Sequence, residues 1–255
     1  MKFKIKVSKA SLLEAMSEFF GTWILLMVLF MSSLILRGNE PLLVAIVYIV
    51  LIATFSNFSK GHFNPLFTLA DLFAKIFSEP KDRKLILAEL KVAGMYLLAQ
   101  LLGALAAYLV VTRIQSSVVD YQIIKAGMEI TAETKTQVLA QVAYVNTFLA
   151  TSWKLAFFLE TLFSFVLGLV FLINSTKSKA TLAMAVGLGF FAVEVFVSDI
   201  SGGSFHMFKS LVSVLFIGGE GLSNLWVFLL GGSLGALMAG LVYVAFDKLS
   251  KVVKK

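Results

Sequence analysis

The sequence contains no cysteine, only three prolines, and just 15% charged residues. Without cysteine there are no disulfides and no thiolate metal sites, and the redox compartment stays open. So little charge excludes an ordinary soluble domain, which carries about 25% Asp, Glu, Lys and Arg. The two histidines have no evident third ligand, so no metal site is expected. No nucleophile–base pair or metal constellation appears, so an enzyme is not expected. What fills the 255 residues is apolar: 59% of them, including 24 phenylalanines. They gather in blocks of about 18 to 25 residues, enough to cross a hydrocarbon core of roughly 30 Å. Lipid bilayer is therefore the natural solvent. The formal charge of +7 sits mostly in short loops and tails between those blocks, which favours a topological role over nucleic-acid binding. The basic start MKFKIKVSK precedes an apolar run too long for a signal-peptide core, so it reads as a retained first span.

Spanning helices are expected at about 12–36, 41–58, 85–112, 154–174, 180–199 and 222–246. Two shorter apolar stretches, near 63–77 and 204–217, are about 21 to 23 Å long as helices and cannot cross alone. Each follows a break, SKGHFNP in the first case and SDISGGSFH in the second. With six crossings, 16 of the 22 Lys and Arg fall on the side of the termini and six on the other. That asymmetry predicts a multi-pass protein of the cell membrane with both termini cytoplasmic. It also places the two half-length segments on opposite faces. The connection at 113–153 is the one sizeable polar insertion and is expected to pack over the outer mouth.

The two halves match at a fixed offset. Glu18 in EFFGTWILLMVLF corresponds to Glu160 in ETLFSFVLGLVFL, 142 positions on, and the same step carries Gly61 to Gly203 and Asn64 to His206. LGAL at 102–105 returns at 234–237, a step of 132. An odd number of spans per half requires the second copy to be inverted, an arrangement that places solute sites near the midplane. The expected fold is thus an all-α membrane domain over 1–255, with repeats at about 1–112 and 154–255 joined by the outer connection.

Glu18 and Glu160 lie inside spanning helices, where a carboxylate is costly and faces the bundle interior. Non-helical backbone at membrane depth needs acceptors for its N–H groups, so both read as struts for the loops before the half-helices. The rival reading is a proton relay. In GHFNPLFT, Pro65 suits a first helical turn and Asn64 can cap it. A half-helix that begins at the midplane also points its positive dipole end at any pore.

These motifs resemble those of the aquaporins and glycerol facilitators, the major intrinsic protein family, over nearly the whole length. The likeness rests on EFFGTW at 18–23, GHFNPLFT at 61–68, AQLLGALAA at 99–107, AVGLGF at 185–190, DISGGS at 199–204 and WVFLLGGSLGA at 226–236. It implies six transmembrane helices plus two re-entrant half-helices, a homotetramer with one pore per subunit, no cofactor, and passive conduction of small neutral solutes. The family's first Asn-Pro-Ala reads Asn64-Pro65-Leu66 here. Its second Asn-Pro-Ala-Arg becomes His206-Met207-Phe208-Lys209. Neutral His206 retains one donor, and the protonated form would add charge against cations; the alternative is that His206 and Phe208 only fill space and narrow or shut the pore. The family's outer constriction falls on Val44, Glu194, Gly203 and Lys209. Val44 and Gly203 leave room there, and Glu194 with Lys209 can form a net-neutral polar pair; alternatively Glu194 turns towards loop backbone. His62 lies at the cytoplasmic approach, either lining the pore or packed. Three functional readings follow. The first is a passive channel for water, glycerol or similar polyols. The second is a proton- or ion-coupled transporter using Glu194, His206 and Lys209. The third is a non-conducting scaffold.

Overall fold

The computed structural model of the chain describes residues 8–35, 40–141, 152–201, 203–217 and 222–253. In chain order the helices are α1 (Lys9–Ile35), α2 (Glu40–Phe55), α3 (Pro65–Ser78), α4 (Arg83–Lys125), α5 (Ala132–Gln141), α6 (Trp153–Asn174), α7 (Lys179–Ser201), α8 (Met207–Ile217) and α9 (Leu222–Val253). Five of them, α1, α4, α6, α7 and α9, are long and apolar enough to cross a bilayer. The described part of α2 has 16 residues, about 24 Å of helix, and the chain just before it lies outside the described residues. The half-length segments form α3 and α8, with 14 and 11 residues. The connection expected to begin at 113 opens instead as helix, because α4 runs on to Lys125 before α5. Val119, Ile123 and Val138 of this region are buried in the main core, which explains why the helix continues past its expected end.

The outward faces carry the surface that lipid demands. Leu98, Leu109, Phe158, Phe196 and Leu230 are all more than half exposed, an array that in water would be an interaction patch. The polar residues run the other way: Glu18, Glu160, Gln100, Asn64 and His206 are buried. Such an inside-out distribution is that of a bundle whose interior holds the chemistry.

The helices pair in matched sets. α1 packs on α4 as α6 packs on α9, and α1 on α2 as α6 on α7, while α2 and α7 pack against each other. Two close backbone crossings repeat at the steps of 142 and 132 seen in the sequence. A Cβ on Gly103 would lie 2.6 Å from Phe19 O and 3.1 Å from Trp23 N. A Cβ on Gly235 would lie 2.6 Å from Thr161 O and 2.7 Å from Phe165 N. Positions 161 and 165 are the counterparts of 19 and 23. Glycine is required at both crossings because backbone touches backbone, the small-residue contact by which membrane helices approach closely. The half-helices join the two halves: α3 packs on α9 and α8 on α4.

The crossing yields a prediction. Gly235→Ala should destabilise the bundle by about 1–3 kcal/mol through overpacking, read as a lower melting temperature in detergent. Gly94→Ala, where an added Cβ meets nothing within 4 Å, should melt at or slightly above the unmodified chain, since alanine favours helix by roughly 1 kcal/mol over glycine.

Candidate functional site

The site is built where α3 and α8 begin. Asn64 caps α3: its side-chain oxygen accepts from Leu66 N at 2.9 Å, and Pro65 occupies the first turn, where its missing N–H leaves nothing unpaired. Both amide hydrogens of Asn64 are committed. One bond runs to Phe205 O, across the junction, at 2.8 Å; the other runs to the Tyr48 hydroxyl of α2 at 2.9 Å. His206 performs the matching task for α8. Its Nδ1 accepts from Lys209 N at 3.2 Å, and its Nε2 lies 2.9 Å from Phe63 O. A ring nitrogen that accepts from an amide carries no proton, so the ring is the neutral tautomer with Nε2–H donating to Phe63. The two helix starts are therefore laced together by reciprocal side-chain bonds, Asn64 to Phe205 and His206 to Phe63.

Phe63 and Phe205 lie immediately before these caps and hold φ of 49° and 36°. Bulky residues rarely adopt this region, and they persist in it only when the surroundings over-determine them. The surroundings here are the two buried glutamates. Glu18 accepts from His62 N at 3.0 Å, Phe63 N at 2.7 Å, Ser59 Oγ at 2.8 Å and Gln100 Nε2 at 2.8 Å. Glu160 accepts from Ser204 N at 3.2 Å, Phe205 N at 3.4 Å and Ser201 Oγ at 2.9 Å. The serines in turn accept from the loop glycines, Gly61 N to Ser59 Oγ at 3.1 Å and Gly203 N to Ser201 Oγ at 3.3 Å. Each of these pairs of contacts is separated by 142 residues.

Two differences between the halves are linked. Gln100, which donates to Glu18 and to Thr68 Oγ1, has Gly232 as its counterpart. The flexible side chain of Met207, the counterpart of Pro65, lies against Gly232 and takes the space a glutamine would occupy. The departures Pro65 to Met207 and Gln100 to Gly232 thus compensate each other.

Other candidate residues fall around this junction. Leu66 and Met207 are buried in the first turns of α3 and α8, and Phe208 and Lys209 are partly buried. Val44 on α2 and Glu194 on α7 are buried, as is Gly203 in the loop. His62 is sandwiched edge-on between Tyr96 and Phe171, each ring centroid 5.1 Å away, and its Nε2 makes no hydrogen bond. Beside it, Lys60, Asp71, Lys75 and Glu89 form a network closed by two 2.8 Å pairs, Lys60–Asp71 and Lys75–Glu89. Among the described residues no group of three or more His, Cys, Asp or Glu forms a metal constellation.

Four aromatic side chains at the junction were missed by sequence reasoning. Tyr48 stacks on Phe190 with centroids 4.1 Å apart, and Phe67 stacks on Phe171 at 4.6 Å. The two stacks meet edge to face, Tyr48 on Phe67 at 6.3 Å and Phe67 on Phe190 at 6.0 Å. The sequence holds a signal for three of them: Tyr48 is one turn from Val44, Phe190 one turn from Glu194, and Phe67 lies within GHFNPLFT itself.

Two predictions follow from the bonding. Glu18→Ala leaves the His62 and Phe63 amides without an acceptor, and at about 1–3 kcal/mol per buried donor the loss should lower the melting temperature well beyond that of a surface glutamate substitution. His206→Asn retains both a cap acceptor and a cross-junction donor and should melt close to the unmodified chain; His206→Leu retains neither and should lose about 1–3 kcal/mol.

Comparison with known proteins agrees with this architecture. The chain is 27% identical over 234 residues to glycerol uptake facilitator protein-like 6 of Lactiplantibacillus plantarum, covering 88% of this chain and 93% of that one. The X-ray structure of the aquaglyceroporin from Plasmodium falciparum superposes with a TM-score of 0.67 at 18% identity, over 92% of this chain and 96% of that one; this likeness establishes the aquaporin-like fold. The sequence profile of the major intrinsic protein family matches residues 5–243, and the chain belongs to that family.

Proposed function

We propose that the protein is a passive transmembrane channel, not an enzyme, for small uncharged solutes such as water, glycerol or similar polyols. The observation that carries this reading is the meeting of two capped half-helix starts inside an apolar bundle, laced by Asn64 to Phe205 and His206 to Phe63. Two helix N-termini aimed at one point present positive partial charge, which opposes cations while leaving neutral solutes unaffected. The reading assigns Asn64, Pro65, Leu66, His206, Met207 and Phe208 to the pore midplane. Val44, Glu194, Gly203 and Lys209 form the outer constriction, with Glu194 and Lys209 as its net-neutral polar pair. His62 stands at the cytoplasmic approach, and Glu18 and Glu160 are the struts of the two loops. The halves are inverted copies, and the assembly is a homotetramer in the cell membrane with both termini cytoplasmic.

The test is shrinkage and swelling of proteoliposomes by stopped-flow light scattering in gradients of sucrose, glycerol and urea. A channel accelerates at least one of these solute or water fluxes over protein-free vesicles, down the gradient only. Accumulation of a solute against its gradient when a pH step is applied would instead establish coupled transport. Glu194→Gly and Lys209→Ala should each change the relative rates of glycerol and urea; identical ratios in both would remove those residues from the constriction.

A further inference from the structure

The channel reading leaves open what limits passage, and the aromatic junction bears on this directly. A lumen wide enough for water must leave the side chains that line it partly reachable by water. At this junction they are sealed: Tyr48, Phe67, Phe171 and Phe190 are each 2% exposed or less, and Asn64 and His206 are equally buried. Tyr48 comes from α2, Phe67 from α3, Phe171 from α6 and Phe190 from α7, so rings from four elements pack together beside the start of α3.

The hydrogen-bond inventory points the same way. An amide side chain that caps its own helix and crosses to the opposite loop still has one hydrogen to offer. On Asn64 that hydrogen is taken by the Tyr48 hydroxyl at 2.9 Å. The ring of His206 has no equivalent to offer, because one nitrogen accepts from Lys209 and the other bonds Phe63. Neither Asn64 nor His206 therefore has a side-chain donor left for a solute hydroxyl, and the Asn64 donor that would serve is held by a phenol.

We propose that Tyr48 is the residue that determines which solutes cross: its ring, stacked on Phe190, narrows the lumen, and its hydroxyl occupies the Asn64 donor that a polyol would use. The ring and the hydroxyl make separable contributions. The ring acts by volume and narrows the passage for water and glycerol alike. The hydroxyl excludes by competition, and only against solutes that need the donor. This assignment rests on the channel reading, and it differs from the outer constriction in depth and in chemistry. Val44 lies one turn away on the same helix face and is aliphatic, with no donor or acceptor of its own.

The experiment uses the full-length chain in proteoliposomes, with water, glycerol and urea fluxes measured for the unmodified protein, Tyr48→Phe and Tyr48→Ala, each first shown to be monodisperse in detergent. Tyr48→Ala should raise glycerol flux by about ten-fold or more, the change expected for one lost stack and one lost hydrogen bond. Tyr48→Phe keeps the ring and should leave water flux within about two-fold of the unmodified chain, since packing rather than bonding limits the passage of water. As a second route that does not touch residue 48, Phe190→Ala removes the stacking partner and should raise water and glycerol fluxes in the same direction. Equal fluxes above protein-free vesicles in the unmodified chain and in both alanine variants would overturn the role of Tyr48 while leaving the channel reading intact. Fluxes no greater than those of protein-free vesicles in all of them would overturn both.

Discussion

A backbone break at membrane depth has no water to satisfy its amides, and the rest of this structure depends on how that demand is met. The loops before α3 and α8 each turn through a phenylalanine in the left-handed region, at φ of 49° and 36°, and each exposes two consecutive N–H groups. One buried carboxylate answers both amides in each loop. Glu18 and Glu160 are tolerable in the interior because each accepts several donors, which together offset much of its desolvation. In return, each carboxylate fixes the strained turn that aims its half-helix at the other. Remove the acceptor and the turn has no reason to hold; lose the turn, and Asn64 and His206 no longer face the opposite loop.

The same dependence explains which replacements the second half accepts. Asparagine and histidine look unlike, yet both present an acceptor and a donor on one short, planar side chain. The acceptor caps the helix and the donor crosses the junction, and His206 performs both tasks. What it lacks is the second amide hydrogen, so the second half gives up one donor without giving up its architecture. Methionine for proline is similarly bounded. Met207 adds an N–H in the first turn, where an unpaired donor is ordinary for any helix start, and its length fills the space left by glycine at position 232.

Much of this was legible in the sequence, and the reasons are specific. Apolar blocks of spanning length and two blocks too short to span are statements about bilayer thickness, so the helices and half-helices could be placed by counting. Matched glutamates 142 residues apart are hard to explain except by a repeated structural demand, and their bonding to equivalent loop amides is that demand. The continuation of α4 to Lys125 was not legible. Its sequence there is polar enough to read as a loop, and only burial of Val119 and Ile123 against the rest of the core extends the helix. The aromatic junction escaped for a related reason. In a chain with 24 phenylalanines, no single ring stands out until helical spacing is applied from a fixed point such as Val44 or Asn64. The Lys60–Asp71 and Lys75–Glu89 pairs bring residues 60–89 together in a way that charge patterning alone does not specify.

The altered tip of the second half raises the question of how such a site would keep cations out once its arginine has become lysine and its asparagine histidine. A helix start carries roughly half a positive charge from its unpaired amides whatever side chains cap it. Two starts meeting at one point therefore contribute about one charge from backbone alone, in an interior where weak dielectric screening magnifies it. Side-chain identity adjusts this field but does not create it. The architecture survives replacement of the motif letters because its electrostatics come from α3 and α8 pointing at each other. That orientation is held by Glu18, Glu160 and the two cross-junction bonds, all of which this chain retains.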